Sequence, residues 1–208
     1  MKKLVLLVGA LILSLQCAEA QQSFGGGGHV GISISSFPKA VSDFYGLGFG
    51  GGAHADYNVF RFLTARFNID FHTFGYDNKK AEELIAQNNG VAAADVKFEG
   101  FRMSAFGFTV NGLGKIPTKS MVTPYGLIGF GMHIVSVSDP KILYREQDVT
   151  ANFNLAKNIG ETKFGISFGA GSEFAFSGFK MYVEFKYVIV FTKDESTAHI
   201  PITIGFGI

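Results

Sequence analysis

The sequence predicts an all-β chain: an eight-stranded antiparallel up-and-down transmembrane β-barrel, with a short helix in its second long loop. Three observations carry this expectation. Bulky apolar residues alternate with small or polar ones in eight segments. The two faces of those segments are unequal, Phe and Ile on one and mostly Gly, Ser, Thr and charges on the other. The connections alternate short and long, so every long one falls at the same end of a meander.

The elements follow in chain order. Met1 to Lys3 is a basic start, Leu4 to Leu15 an apolar run, and Ala18-Glu19-Ala20 a small-residue cleavage pattern, which together make residues 1–20 a signal peptide and 21–208 the barrel domain. Leu4 to Leu15 is too short for a membrane-spanning helix. Cys17 leaves with the leader, so the mature chain has no thiol and cannot be held by disulfides. The expected strands begin with His29–Phe37, where Val30, Ile32 and Ile34 oppose Gly31, Ser33 and Ser35. Gly25–Gly28 reads as slack before this strand. Tyr45–Tyr57 sets Leu47 and Phe49 against Gly48, Gly50, Gly52, His54 and Asp56, and Phe62–Phe74 sets Phe67, Ile69 and Phe71 against Arg66, Asp70 and His72. Phe98–Asn111 is irregular, because Arg102 and Ser104 share parity with Phe106 and Phe108, and a bulge accounts for the slip. Tyr125–Val137, Lys163–Phe176, Lys180–Phe191 and Ile200–Ile208 complete the set.

Short connections lie near Asn58, at Ile116–Ser120 and at Ser177-Gly178; the longest are Gly75–Lys97 and Ser138–Glu161. Within the first of these, Asn78–Gln87 reads as a short helix with Asn78 as its cap and Leu84 and Ile85 as its sizeable apolar residues. Leu143, Tyr144 and Phe153 read as exposed apolar groups of the second.

Composition decides which side meets lipid. Of 208 residues, 47% are hydrophobic and 17% charged, with 27 Gly and 23 Phe, an excess that argues against disorder and against an ordinary water-soluble enzyme. An eight-stranded barrel has an interior just wide enough for side chains, so small residues belong inside and Phe outside. Closure pairs every backbone amide and carbonyl between strands, the condition for crossing hydrocarbon. Tyr45, Tyr57, Phe74, Tyr125, Phe176 and Phe191, near strand ends, are candidates for interfacial girdles.

The segments TPYGLIGFGMHI at 123–134, MYVEFKYVIV at 181–190 and IPITIGFGI at 200–208 resemble the small outer-membrane β-barrel domain family, which includes the transmembrane domains of OmpA-type and opacity-type proteins. The resemblance implies a cell outer membrane location, both termini periplasmic, and recognition of the last strand by the barrel-assembly machinery. The family commonly ends in an aromatic residue, whereas this chain ends in Ile208 with Phe206 two positions earlier, so Phe206 and Ile208 are the expected assembly signal.

The inward parity carries His54, Asp56, Arg66, Asp70, His72, Arg102, His133, Glu173, Glu184 and Lys186, which must pair in a narrow interior and so are expected to form a polar network that plugs the lumen. No G-x-S-x-G elbow, H-E-x-x-H helix or zinc-ligand spacing occurs, so no catalytic, cofactor-binding or metal residues are expected. A near-neutral charge gives no reason to expect nucleic acid. The function expected is a structural or surface-interaction role, with a ligand or surface met at loops 75–97 and 138–161 and outer-membrane lipid around the wall. A small-solute pore is the alternative and a lipid-modifying enzyme the third.

Overall fold

A computed structural model describes residues 24–37, 45–99, 102–138, 141–152, 161–191 and 196–208. The expected signal peptide, Cys17 and Phe153 lie outside these residues. Among the described residues eleven strands are present: β1 (Phe24–Phe37), β2 (Tyr45–Phe60), β3 (Leu63–Tyr76), β4 (Val96–Glu99), β5 (Met103–Lys115), β6 (Val122–Val137), β7 (Lys141–Tyr144), β8 (Gln147–Asp148), β9 (Glu161–Ala175), β10 (Lys180–Val190) and β11 (Thr197–Gly207). A single α-helix among the described residues, α1, spans Asn78–Asn89.

Eight of the strands close a barrel in the order β1-β11-β10-β9-β6-β5-β3-β2. Neighbours run antiparallel, and the first and last strands seal the wall from Gly27↔Gly207 to Phe37↔Ala198. Each wall strand, at 11 to 16 residues, meets the ~9–11 residues a tilted strand needs to cross a bilayer. The side-chain period of two then sorts the residues. Phe49, Phe67, Ile128, Phe130, Phe168, Phe185, Ile204 and Phe206 are exposed on the outer wall, each between 48 and 72%. Such a continuous apolar belt suits lipid and not water.

Several strand ends differ from expectation, and two of the differences change what a segment does. Phe98 is not in the wall: Val96–Glu99 pairs with β7 outside the barrel, and the wall strand runs from Met103 to Lys115. The suspected slip therefore marks the junction of two strands rather than a bulge. Gly25–Gly28 is not slack either; it belongs to β1 and pairs with Asp56–Ala53 of β2. A built Cβ on Gly25 or Gly27 would strike the backbone oxygen of Ile208 or Phe206 across the seam, so absent side chains let the chain ends approach.

The short turns and both described ends of the barrel lie at one end, here the turn end. At the other, the loop end, the two longest connections fold together. Strands β4, β7 and β8 form a three-stranded sheet with α1 packed on it. Ala81, Ala86, Val96, Phe98 and Ile142 are its buried core, with Tyr76, Ile85, Val91, Tyr144 and Val149 packed around them. Tyr144, expected to be exposed, is half-buried here. The helix is capped by Asp77, not Asn78: the Asp77 carboxylate accepts the Lys80 amide at 3.3 Å. It continues past Gln87 to Asn89, where Gly90 takes a left-handed φ of 65° and closes the last turn.

Candidate functional site

The lumen is built by register. A bulky inward side chain usually faces a glycine on the neighbouring strand: Tyr182 faces Gly205, Tyr125 faces Gly171, His72 faces Gly50, Asp70 faces Gly52, Asn111 faces Gly129 and His133 faces Gly107. In each of these pairs a built Cβ on the glycine would lie within ordinary contact distance, or closer, of the facing side chain. The glycine excess is thus the seating for large polar groups in a bore too narrow for two side chains at one level.

Two layers of polar groups result. Toward the turn end, Arg66 on β3 is the hub. Its Nε and Nη2 reach the two Asp56 carboxylate oxygens at 2.7 and 2.9 Å, a bidentate pair. Its Nη1 donates to Glu184 at 3.4 Å, Nη2 lies 3.6 Å from Glu173, and the guanidinium sits 4.7 Å from the Tyr182 ring centroid. Lys115 reaches Glu173 at 2.9 Å, Lys186 reaches Glu184 at 3.3 Å, and the Tyr125 hydroxyl donates to Glu184 at 2.8 Å. Two cations from neighbouring strands and Lys186 therefore interleave with three carboxylates, which is how charge is retained in a confined interior.

Toward the loop end the chemistry changes to imidazole. All five histidines of the chain are buried inward. His29 Nε2 lies 2.7 Å from Asp70, Ser33 Oγ lies 2.8 Å from His72 Nδ1, and the His72 and His199 rings are 5.5 Å apart. His54, lower down, contacts the Tyr182 hydroxyl at 3.3 Å. A void of about 20 Å³ lies among Asp70, His72, Thr109, His133, Lys186 and His199.

Of the residues expected to face inward, His54, Arg66, Asp70, His72, His133, Glu173, Glu184 and Lys186 are buried, and Asp56 is half-buried against Arg66. Arg102 is not among them. It is exposed just before β5, its amide held by Ser138 Oγ at 2.8 Å, because the wall strand starts one residue later with Arg102 on outward parity. Three expected girdle residues are also relocated: Tyr45, Phe74 and Tyr125 are 6, 1 and 3% exposed. Phe74 and Tyr125 have inward parity, and Tyr45 precedes a register shift in β2. Phe176 and Phe191 remain exposed, and Tyr57 packs 5.0 Å from Phe24. Phe206 and Ile208 are exposed beside the seam, the Ile208 amide donating to the Gly26 carbonyl. His29, Lys115, Tyr125 and His199 were missing from the inward set; parity alone places His29 and Tyr125, whereas Lys115 lay beyond the expected end of its strand.

The loop-end cap is the second candidate surface. Rings step from the wall into it, Tyr45 to Tyr76 at 5.1 Å and Tyr76 to Phe98 at 5.2 Å. The Phe98 amide donates to Glu82 Oε1, which fastens α1 to β4, and Arg145 pairs with Asp95 at 3.2 Å. Hydrogen bonds from the Thr150 hydroxyl and amide hold the Asp148 carboxyl below its usual range. A concavity of about 280 Å³ opens between Ile85, Val91, Val96, Ile142, Tyr144 and Val149. No cluster of three or more metal-ligating side chains occurs among the described residues.

The profile of a family described as "Outer membrane protein beta-barrel domain" matches residues 4–207. Comparison with curated protein sequences gives no significant match. Among solved structures, the surface protein A of Neisseria is similar at a TM-score of 0.58 and 13% identity, covering 89% of this chain and 96% of that one. The N-terminal barrel domain of Pseudomonas aeruginosa OprF aligns at a TM-score of 0.46 and 8% identity over 90% of this chain and 98% of that one.

Proposed function

Because this chain belongs to the outer membrane protein beta-barrel domain family, we propose that it is an outer-membrane wall protein that presents a folded cap for contact with surfaces or ligands outside the cell. The cap is the observation that carries this. Two long connections that could have stayed as short turns instead share a core of Ala81, Ala86, Val96, Phe98 and Ile142. Ordering that many residues costs about 1–2 kcal/mol each in backbone entropy, which a solvated loop avoids. Presented loops on a rigid scaffold are where recognition resides.

The rest of the assignment follows from the same geometry. The signal peptide exports the chain, the turn end and both termini face the periplasm, and the cap faces outward. The exposed Phe206 and Ile208 next to the β1–β11 seam are what the assembly machinery reads. The Arg66 cluster fills the bore and keeps it from conducting. Ser33, the hydroxyl partner of His72, is wholly buried, so this pair has no path to a lipid substrate.

The test compares bacteria displaying the intact protein with bacteria displaying a variant in which 77–99 and 141–152 are replaced by short Gly-Ser turns. Adherence to epithelial monolayers and to abiotic surfaces should fall in the variant while its heat-modifiable band persists. Equal adherence with an intact barrel overturns the role assigned to the cap.

A further inference from the structure

We propose that the loop-end half of the lumen is an acid-operated switch: protonation of the histidine layer admits water and gives the barrel a conductance that it lacks at neutral pH. The inference rests on the reading of the lumen as closed at neutral pH and adds how that closure is regulated.

The layer is defined by what each wall strand contributes. β1 supplies His29, β3 supplies Asp70 and His72, β6 supplies His133, β9 supplies Lys163, β10 supplies Lys186, and β11 supplies His199. β2 contributes Gly48, Gly50 and Gly52 here and, just below, His54, whose ring stacks 6.4 Å from that of His29, and β5 contributes Ala105, Gly107 and Thr109. Glu184 reaches up to Lys186 from the Arg66 cluster at 3.3 Å. Among the described side chains of this layer Asp70 is the carboxylate, and it is already engaged by His29 at 2.7 Å. With neutral imidazoles the layer holds its charges in rough balance. Among the described side chains, each further proton adds a positive charge with no free carboxylate to meet it, and His72 and His199 carry theirs 5.5 Å apart. Like charges this close in a dry interior repel strongly, and the relief available is hydration.

The wall permits that relief without unfolding. Its hydrogen bonds are closed around the barrel, so side chains can swing while the backbone stays paired. His72 sits on Gly50, and His133 on Gly107 and Gly165, seats that offer no side chain to block rotation. A void of about 20 Å³, enough for a first water molecule, lies among His72, His133, His199 and Lys186. The buried Asn68 Oδ1 and Thr203 Oγ1, without hydrogen-bond partners, offer further sites for incoming water.

Purified full-length barrel in planar bilayers tests this at about pH 7.5 and about pH 3, the lower value set well below ordinary imidazole titration because the rings are buried. Wild type should be silent at the higher pH and show a conductance increased roughly tenfold or more over background at the lower. The triple variant His72→Gln, His133→Gln, His199→Gln should lose that response while keeping its heat-modifiable band. Should the variant not fold, imidazole ¹⁵N NMR of wild type in micelles decides, with protonation of buried rings expected over the same interval. Silence of wild type at both values overturns the switch and leaves the closed lumen standing. Equal conductance at both overturns the closed lumen as well. A response retained by the triple variant, rings still neutral at the lower pH, or loss of the folded band there would each overturn the switch.

Discussion

The Tyr182 ring occupies the place where a side chain on Gly205 would begin. The two are direct cross-strand partners on β10 and β11, and from that seat Tyr182 meets Arg66 on one side and His54 on the other. Gly205→Ala must therefore displace the ring or part the strands. We expect a loss of about 1–3 kcal/mol, typical of overpacking, in urea unfolding from detergent micelles. Gly28 is the control: it faces outward with its nearest neighbour at 3.4 Å, so Gly28→Ala should stay within about 0.5 kcal/mol of wild type.

Arg66 holds three carboxylates. Arg66→Ala leaves Asp56, Glu173 and Glu184 short of a cation in a buried setting. A cost of about 3–5 kcal/mol is expected in the same unfolding measurement. The deficit should shrink on acidification, since protonated carboxyls no longer need the guanidinium. A deficit that is equal at acid and neutral pH would count against charge pairing as its cause.

The cap should unfold separately from the wall. Ile142 is 1% exposed at its centre, and Ile142→Ala should remove about 2–5 kcal/mol of local stability. Limited proteolysis of intact cells or proteoliposomes should then cut between residues 77 and 152 much faster, with no change in the heat-modifiable shift of the barrel.

Between β7 and β8 the turn residues Arg145 and Glu146 both adopt positive φ, 47° and 68°, a conformation that favours Asn-Gly. Glu146→Gly should relieve that strain, by about 1 kcal/mol, and slow the same proteolytic cut. The adjoining Asp148–Thr150 contact has a pH signature. Because the folded-state pKa of Asp148 is lowered, its contribution is complete above the usual aspartate value and is lost as pH falls through the lowered one. Asp148→Asn should remove that acid dependence from the cleavage rate.

Topology is checked by single cysteines at Lys80 on α1 and Ser177 in the β9–β10 turn. A membrane-impermeant maleimide should label the first on whole cells and the second only after the outer membrane is breached. Labelling of both from one side would overturn the assigned orientation.

The period of two was readable because lipid and lumen impose opposite demands on alternate residues. Phe67, Phe130 and Phe185 could be placed outside, and Arg66, Asp70, His72 and Glu184 inside, from parity alone. Local pattern failed where a strand ended. Phe98 carried a strand-like signal, and its pairing with Ile142, 44 positions away in the chain, is not a local property. The same misplaced boundary put Arg102 inside. Tyr125 was misassigned for another reason: its parity with Gly129 and His133 already points inward, but its place near a strand end was read as a girdle, and its seat against Gly171 comes from register.

Sequence by itself determined the class of this protein: eight alternating segments, a bulky face for hydrocarbon, a small face for a narrow bore, and loops gathered at one end. Those follow from side-chain volume and polarity repeated at a fixed period. Only the tertiary structure decided which groups meet. Arg66 finds Glu184 at a separation of 118 residues, Tyr182 finds its glycine through register, and two loops become one cap through β4 and β7. Register and closure are set by the sum of all cross-strand pairs, so no single segment contains them.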